Sequence, residues 1–174
     1  MNISINVFDP GSVESAITRL EEYASKLASK ADLLAKRLAE SGYETAQVIL
    51  AGHVYTGETL GSLTVTGSDG EYCLMAGSEA LLFVEFGAGI QGVGHPLAGQ
   101  FGMGAGTYPG QTHAFDPNGW WYPTSDPALV RRWDKNGQGW AHSYGNPPHM
   151  PMYAAEREIK NRIEKFAKEI FSND

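Results

Sequence analysis

Residues 13–38, with the sequence VESAITRLEEYASKLASKADLLAKRL, place apolar side chains at alternating steps of three and four. The apolar positions are Val13, Ile17, Leu20, Ala24, Leu27, Ala31, Leu34 and Leu38. This spacing predicts an amphipathic helix of about 30 residues, roughly 45 Å long, that ends near Ser41-Gly42. The opposite face is predicted to be solvated. We expect a helix of this length to run along a neighbouring subunit as well as its own sheet.

The segments around this helix carry weaker patterns. Alternating Ile3, Ile5 and Val7 predict a short strand, and residues 43–50 predict a second, shorter helix that closes at Ala51-Gly52. Near the other end, apolar residues return at helical spacing after Pro147-Pro148, and Pro151 suits the first turn of a closing helix. That helix carries Met152, Ala155, Ile159, Ile163, Phe166 and Ile170 on its apolar face.

The middle of the chain is predicted to be β-structure. Leu63 and Val65 alternate with polar residues, residues 67–70 (GSDG) are typical of a turn, and residues 72–76 return as a partner strand. Residues 81–86 (LLFVEF) are almost continuously apolar, which predicts a strand covered on both faces.

Residues 88–148 differ from the rest, because they hold most of the Gly, Pro, Trp and His and show no period of either kind. We interpret them as a long loop or arm that becomes ordered against a partner, with a short helical turn at residues 126–133. The tryptophans argue against plain disorder, since their large apolar area requires a surface to pack on.

Composition excludes several classes of protein. The formal net charge of -7 argues against a general binder of phosphate backbones, although a protein that surrounds DNA without adhering to it remains possible. The single cysteine, Cys73, cannot form an intramolecular disulfide and fits a reducing cytoplasm. We expect no signal peptide and no membrane span, because the start lacks a basic region and no long apolar window occurs.

The histidines do not predict a metal site. His53, His95, His113, His142 and His149 match no usual zinc spacing, so we expect structural roles, no metal and no cofactor. The glycine runs after residue 86 lack the Lys-Ser/Thr of a phosphate-binding loop, so a turning arm is the favoured interpretation.

Glu85 lies between Val84 and Phe86 in an apolar stretch. A buried carboxylate can be a general acid, or it can be held by backbone N–H groups or by an arginine such as Arg131 or Arg132. No second carboxylate lies nearby in sequence to complete an acid–base pair, which favours the structural role.

Gly119-Trp120-Trp121-Tyr122-Pro123 is similar to an aromatic platform. Such a platform can bind sugars, single-stranded nucleic acid or a protein hot spot. The acidic charge disfavours nucleic acid, and we favour a protein interface.

Three segments, in order, resemble one family. Residues 55–63 (YTGETLGSL) look like a stretched "TG-x-L-x-x-S" signature, and residues 83–89 (FVEFGAG) are similar to "Y/F-V-E-F-G-T-G". Residues 147–155 (PPHMPMYAA) resemble the "P-x-x-P-F-M/L-x-x-A" start of a closing helix. This is the neck and tail-completion family of long-tailed bacteriophages, whose members are called minor capsid, minor tail or head–tail joining proteins. Ala88 departs from the usual threonine, and the arm is longer than in plain members.

The resemblance implies a single α+β domain over residues 1–174, in which a small twisted antiparallel sheet packs against a long N-terminal helix and a C-terminal helix. It also implies a homo-oligomeric ring, expected to be hexameric, at the head–tail junction or tail top. This ring would contact connector or tail proteins and surround passing DNA, with no catalysis, cofactor or membrane. The protein would reside in the virion, and in the host cytoplasm during assembly.

The residues expected to carry family motifs or interfaces are Thr56, Gly57, Leu60, Ser62, Glu85, Phe86, Gly87, Gly89, Trp120, Trp121, Trp133, Trp140, Pro148 and Pro151. Two alternatives remain. A phage-associated wall-degrading hydrolase would use Glu85 in a deep cleft, and a carbohydrate-binding tail module would present flat, exposed rings from the Trp-rich loop.

Overall fold

A computed structural model describes residues 3–6, 8–53, 58–78, 80–103 and 116–172. It confirms the predicted α+β class, with small antiparallel sheets, a long N-terminal helix and a C-terminal helix. The helices are α1 (Pro10–Ala51), α2 (Glu58–Gly61), α3 (Leu81–Phe86) and α4 (Pro151–Phe171), with a 3-10 turn at Ala98–Phe101. The strands are β1 (Thr64–Ser68), β2 (Glu71–Met75), β3 (Ala88–Gly89), β4 (Trp120–Pro123), β5 (Arg132–Trp133), β6 (Gly139–Ser143) and β7 (Gly145–Asn146).

Helix α1 is one unbroken element of 42 residues, which corresponds to roughly 63 Å at 1.5 Å per residue. It begins where the Asp9 carboxylate accepts a hydrogen bond from the Gly11 N–H at 3.0 Å, with Pro10 in the first turn. The predicted end at Ser41-Gly42, and the separate helix at residues 43–50, are therefore wrong. Gly42 is a packing position, because a Cβ there would lie 2.7 Å from Cδ1 of Ile159 on α4.

Helix α4 runs antiparallel to the C-terminal half of α1. Gly42 faces Ile159, and Arg37 donates to the Glu169 carboxylate at 2.9 Å further along. The core cluster lies between the two helices and the segment after α2. Its buried members are Ala46, Leu50, Leu63 and Ala155, with Tyr43, Leu60, Leu74, Ala76, Leu81, Val84 and Met152 packed against it.

The predicted hairpin is confirmed as β1 and β2, which pair antiparallel from Thr64–Met75 to Ser68–Glu71. Its turn has positive φ at Asp69 and Gly70, and the Gly70 N–H donates to Asp32 of α1 at 2.8 Å. The Tyr72 hydroxyl donates to the other Asp32 oxygen at 3.3 Å. Burial raises the pKa of Tyr72, and this hydrogen bond raises it further by a smaller amount. Asp32 therefore fixes the hairpin to α1.

Two predicted strands are wrong. Residues 3–6 form no strand, and Val7 lies outside the described residues. Residues 81–86 form the short helix α3, of six residues, instead of a doubly covered strand. A short apolar run is ambiguous between the two states, and here tertiary contacts decide, because α3 places Glu85 and Phe86 inward.

The arm at residues 88–148 contains regular structure that the sequence patterns did not predict. Strands β4, β6 and β5 form a three-stranded antiparallel sheet in that order, and β3 pairs with β7 at the base of the arm. The expected helical turn at residues 126–133 is a turn at residues 127–129 followed by β5. In the described part of the chain, no helix is both long enough and apolar enough to cross a bilayer.

Candidate functional site

The carboxylate of Glu85 is the centre of a buried junction. Its Oε1 accepts hydrogen bonds from His95 Nε2 at 3.0 Å and from the Tyr153 N–H at 2.9 Å. Its Oε2 accepts from the Met152 N–H at 2.8 Å. Only 6% of Glu85 and 8% of His95 are exposed, so both residues are buried. Of the two structural alternatives for Glu85, backbone N–H groups or an arginine, the structure shows the backbone N–H groups.

Glu85 replaces the missing N-terminal cap of α4. Met150, at the cap position, has a left-handed backbone (φ 56°) and makes no side-chain capping bond. The first N–H groups of a helix lack partners within the helix, and its N-terminus carries partial positive charge. A carboxylate from α3 therefore satisfies two of these groups and places negative charge at the favourable end of the dipole.

His95 acts through a defined tautomer. Its Nδ1 accepts a hydrogen bond from the Leu97 N–H at 3.1 Å, so Nδ1 carries no proton. Nε2 must then carry the hydrogen that is donated to Glu85. The Phe86 ring lies 4.4 Å from the imidazole and the Tyr153 ring 5.5 Å from it, between ring centroids, which fixes its orientation.

Backbone contacts join the same two segments beside this network. The His149 N–H donates to the Val84 carbonyl at 2.8 Å, and Asn146 Nδ2 donates to the Phe83 carbonyl at 2.8 Å. Pairing of Ala88 with Asn146 continues the connection into the arm. Residues 83–89 are thereby attached to residues 145–153, about 60 positions further along the chain.

Two glycines allow this close approach. Gly87 has φ 77°, and a Cβ there would lie 2.7 Å from the Asn146 carbonyl oxygen. At Gly89 (φ 63°) a Cβ would lie 2.7 Å from the Tyr144 carbonyl oxygen and 2.8 Å from the Trp120 ring. Only glycine tolerates both the backbone conformation and the contacts.

The structure brings together six of the residues singled out in the sequence. Glu85, Phe86, Gly87, Gly89, Pro148 and Pro151 all belong to this junction or border it. Pro151 is fully buried in the first turn of α4. Pro148 lies against Gly87, because a Cβ on Gly87 would lie 2.8 Å from the Pro148 nitrogen.

The residues of the first motif lie elsewhere. Leu60 packs against the core cluster, while the Ser62 hydroxyl donates to the Thr59 carbonyl at 2.8 Å and accepts from the Gly77 N–H at 3.2 Å. Ser62 therefore ties α2 to the segment that follows the hairpin. Thr56 and Gly57 lie outside the described residues.

A cavity of about 260 Å³ adjoins Glu85 and His95. Apolar side chains, including Leu82, Phe101 and Met152, form most of its wall. Glu156 is the other carboxylate beside it, and this residue pairs with Lys160 on the surface of α4. The Glu85 carboxylate, which accepts three hydrogen bonds, attaches the start of α4 to α3.

The tryptophans occupy the separate sheet of β4, β6 and β5. The Arg132 guanidinium lies 4.1 Å from the centroid of Trp121 and 5.7 Å from that of Trp140, and the His142 ring contacts Trp121 edge-on. The suggestion that an arginine holds Glu85 is wrong for Arg132, which stacks here. Trp121 remains 41% exposed beside this cation.

Trp133 is the most exposed of the four, at 61%, and one edge of its ring lies near Gly139. Trp120 packs on Gly89 and so links the sheet to the junction. The loop between β5 and β6 is held by Asp134, whose Oδ1 accepts from the Gln138 and Asn136 N–H groups. These hydrogen bonds lower the pKa of Asp134, and the one from Gln138 has the largest effect.

No match was found in comparisons with protein-family models, curated proteins and solved structures.

A second histidine contact joins α1 to the start of α4. The rings of His53 and His149 stack with centroids 3.4 Å apart and an interplanar angle of 20°. Burial lowers the pKa of His149 below its ordinary value of 6.5, and the neighbouring His53 lowers it further by a smaller amount. Across the described residues, no group of three or more His, Cys, Asp or Glu side chains could hold a metal ion, and His113 lies outside them.

Sequence patterns gave His95 a structural role without a partner, and they missed Asn146 and Met150. The junction uses the ring of His95, the side-chain amide of Asn146 and the left-handed backbone of Met150. None of these features produces a periodic pattern or a motif spacing in the sequence. The glycine after Glu85 and the prolines before α4 were the available signals, since such residues mark positions where the backbone turns or approaches closely.

Proposed function

We propose that this chain is a structural virion protein of a tailed bacteriophage or prophage, which forms a ring at the head–tail junction or tail top. It joins tail to head around the DNA channel and performs no catalysis. Its partners are further copies of itself and the adjoining connector or tail proteins. DNA passes through the ring without specific binding.

One observation carries the proposal. The segments FVEFGAG and PPHMPMYAA, which resemble the second and third motifs of the neck and tail-completion family, meet in one junction. Glu85 of the first segment caps the helix that the second segment begins. The two resemblances therefore correspond to one structural unit, which supports a shared architecture more strongly than either segment alone.

The state of Glu85 supports the structural role over the hydrolase alternative. A general acid must reach a substrate oxygen, whereas this carboxylate already accepts from two backbone N–H groups and one imidazole. The adjoining cavity is small and its walls are mainly apolar. Moving Glu85 out of this network to reach a substrate would break its hydrogen bonds to the start of α4.

A ring requires two different complementary surfaces on each subunit. We assign one of them to the Trp-rich sheet, where exposed Trp133 and the Arg132–Trp121 stack offer the side chains that dominate protein interfaces. Acidic side chains are proposed to line the channel, in keeping with the net charge of -7. Tight, salt-sensitive binding of the purified protein to duplex DNA would contradict this second assignment.

The proposal is tested by deleting the coding sequence from the phage or prophage genome that encodes it. Electron microscopy of the lysate should then show DNA-filled heads and free tails in place of joined particles. The wild-type gene supplied in trans should restore joining, and so should the Cys73→Ser variant, because Cys73 is an exposed free thiol. Infectious joined particles without the gene would contradict the proposal.

A further inference from the structure

The Trp-rich sheet is bordered by two turns with the same four-residue pattern. The first turn, residues 116–119 (DPNG), precedes β4, and the second turn, residues 134–137 (DKNG), joins β5 to β6. Each contains one of the two Asn-Gly dipeptides of the sequence. Asparagine followed by glycine is especially prone to spontaneous loss of its side-chain amide, because no Cβ hinders attack by the glycine nitrogen.

The two turns have the same hydrogen bonds. In each, the asparagine N–H donates to Oδ1 of the aspartate two residues before it, at 2.8 Å. The glycine N–H donates to the carbonyl oxygen of the same aspartate, at 3.0 Å in the first turn and 3.1 Å in the second. The backbone angle φ is 72° at Gly119 and 79° at Gly137. Local geometry therefore does not distinguish the two asparagines.

The surroundings of the two glycines do differ. Gly119 is buried against β6, where a Cβ would overlap the Ser143 carbonyl oxygen, and the pairing of Trp120 with Ser143 follows at once. Gly137 is exposed, and a Cβ there would meet no atom of the described residues within 4 Å. The peptide bond after Asn136 therefore has space to rotate, whereas the one before Gly119 cannot move without disturbing strand pairing.

Loss of the amide requires such a rotation, because the attacking N–H is bonded within the turn. The Gly137 nitrogen gives its proton to base and attacks Cγ of Asn136, which forms a C–N bond and closes a succinimide ring. The bond from Cγ to the side-chain nitrogen breaks, and this nitrogen takes up a proton and leaves as ammonia. Water then opens the ring at either carbonyl, which leaves aspartate or isoaspartate at position 136. Base and water are the co-reactants, and no atom changes its oxidation state.

We propose that Asn136 is a site of spontaneous deamidation in the folded protein, and that the fold protects Asn118. Exposed turns open locally at a low free energy, whereas paired strands open only at a much higher one. The product adds a negative charge beside the Asp134 carboxylate, and isoaspartate also lengthens the main chain of the loop that joins β5 to β6. The inference is independent of the proposed function, because it requires only the folded chain and water.

Peptide mass spectrometry of the full-length protein tests this difference. The folded protein is incubated in mildly alkaline buffer made with water enriched in the heavy oxygen isotope. Chymotrypsin cleaves after aromatic residues and releases residues 116–120 and 134–140, so each asparagine is measured in its own peptide. The second peptide should gain heavy oxygen at least about tenfold faster than the first. Its rate should also rise with pH, because the attacking nitrogen must lose its proton.

Two controls separate the fold from the local sequence. In guanidinium the two asparagines should react at comparable rates, since both belong to D-x-N-G. Asn136→Ser should abolish the product, and it leaves Gln138 as the remaining side-chain amide of that peptide. Equal rates in the folded protein would overturn the inference, as would a preference for Asn136 that persists in guanidinium. Product formed by Asn136→Ser would assign the reaction to Gln138 and overturn it as well.

Discussion

The carboxylate of Glu85 completes the start of a helix to which it is not connected in sequence. Glu85 is buried, and each of its carboxylate oxygens accepts at least one hydrogen bond, from His95, Met152 or Tyr153. Replacing it by an amide brings an NH₂ group against a donor and removes the charge that the helix dipole favours.

We therefore expect Glu85→Gln to lower the free energy of unfolding by about 2–4 kcal/mol, as for other buried charge-assisted bonds that lose one partner. Guanidinium denaturation followed by circular dichroism measures this. Glu156→Gln is the matched control, because its pairing with Lys160 lies on the surface of α4 and should contribute less than about 1 kcal/mol. Equal stabilities of the two variants would mean that Glu85 does not hold α4.

His149 makes the start of α4 sensitive to acid. Its folded-state pKa lies below 6.5, so the unfolded chain binds a proton at a pH where the folded chain does not. Stability then rises with pH over this interval, is full above about 6.5, and is lost as pH falls toward the folded-state pKa.

The drop in denaturation midpoint between about pH 7.5 and pH 5.5 should be smaller in His149→Gln than in wild type. His142→Gln removes a histidine from the distant Trp-rich sheet and serves as the control, with a drop like that of wild type. If His149→Gln shows the wild-type drop as well, the stacked pair is not the source of the acid sensitivity.

The contact between α1 and α4 depends on small side chains. Ala46 is completely buried beside Ala155, and Gly42 admits the Ile159 side chain. Ala46→Leu should destabilise the fold by about 1–3 kcal/mol, since a tightly packed interface has no room for the added carbons. Val48→Leu, at a site 73% exposed on the same helix, should change stability by less than about 0.5 kcal/mol. Denaturant midpoints that move equally would contradict a close-packed interface.

Elements with long or strongly marked patterns could be predicted from the sequence, and short elements could not. The long apolar period identified α1 and α4, and the GSDG turn identified the hairpin. Gly42 was interpreted as a helix end because glycine is a poor helix former, although its role is to admit Ile159. Strands of two to five residues in the arm are too short to show a period, so pairing with distant residues determines them.

The same limit applies to the candidate site. The sequence identified Glu85 as buried and suggested backbone N–H groups as partners, which the structure confirms. It could not identify the partner of His95 or the left-handed Met150, because both acquire their roles only when α3, the arm and α4 meet. A contact between segments about 60 residues apart produces no recognisable sequence pattern within either segment.

The molecule as a whole exposes apolar side chains at two places far apart in sequence, the N-terminal half of α1 and the Trp-rich sheet. If the sheet contacts a neighbouring subunit or an adjoining ring, removing its most exposed anchor should weaken assembly without unfolding the protein. Trp133 is 61% exposed, so Trp133→Ser should lower the free energy of unfolding by less than about 1 kcal/mol. The same variant should reduce head–tail joining at least about tenfold in the complementation assay, since buried tryptophans dominate interface energies.

Ile163→Ser provides the comparison for this variant, because it removes an exposed apolar side chain of α4 outside both surfaces. It should join heads to tails as wild type does, so that loss of joining in Trp133→Ser reflects the sheet and not a general loss of surface hydrophobicity. Particle counts by electron microscopy measure joining, and thermal unfolding of the same preparations verifies the fold. Wild-type joining by Trp133→Ser would exclude Trp133 as an anchor of the proposed interface.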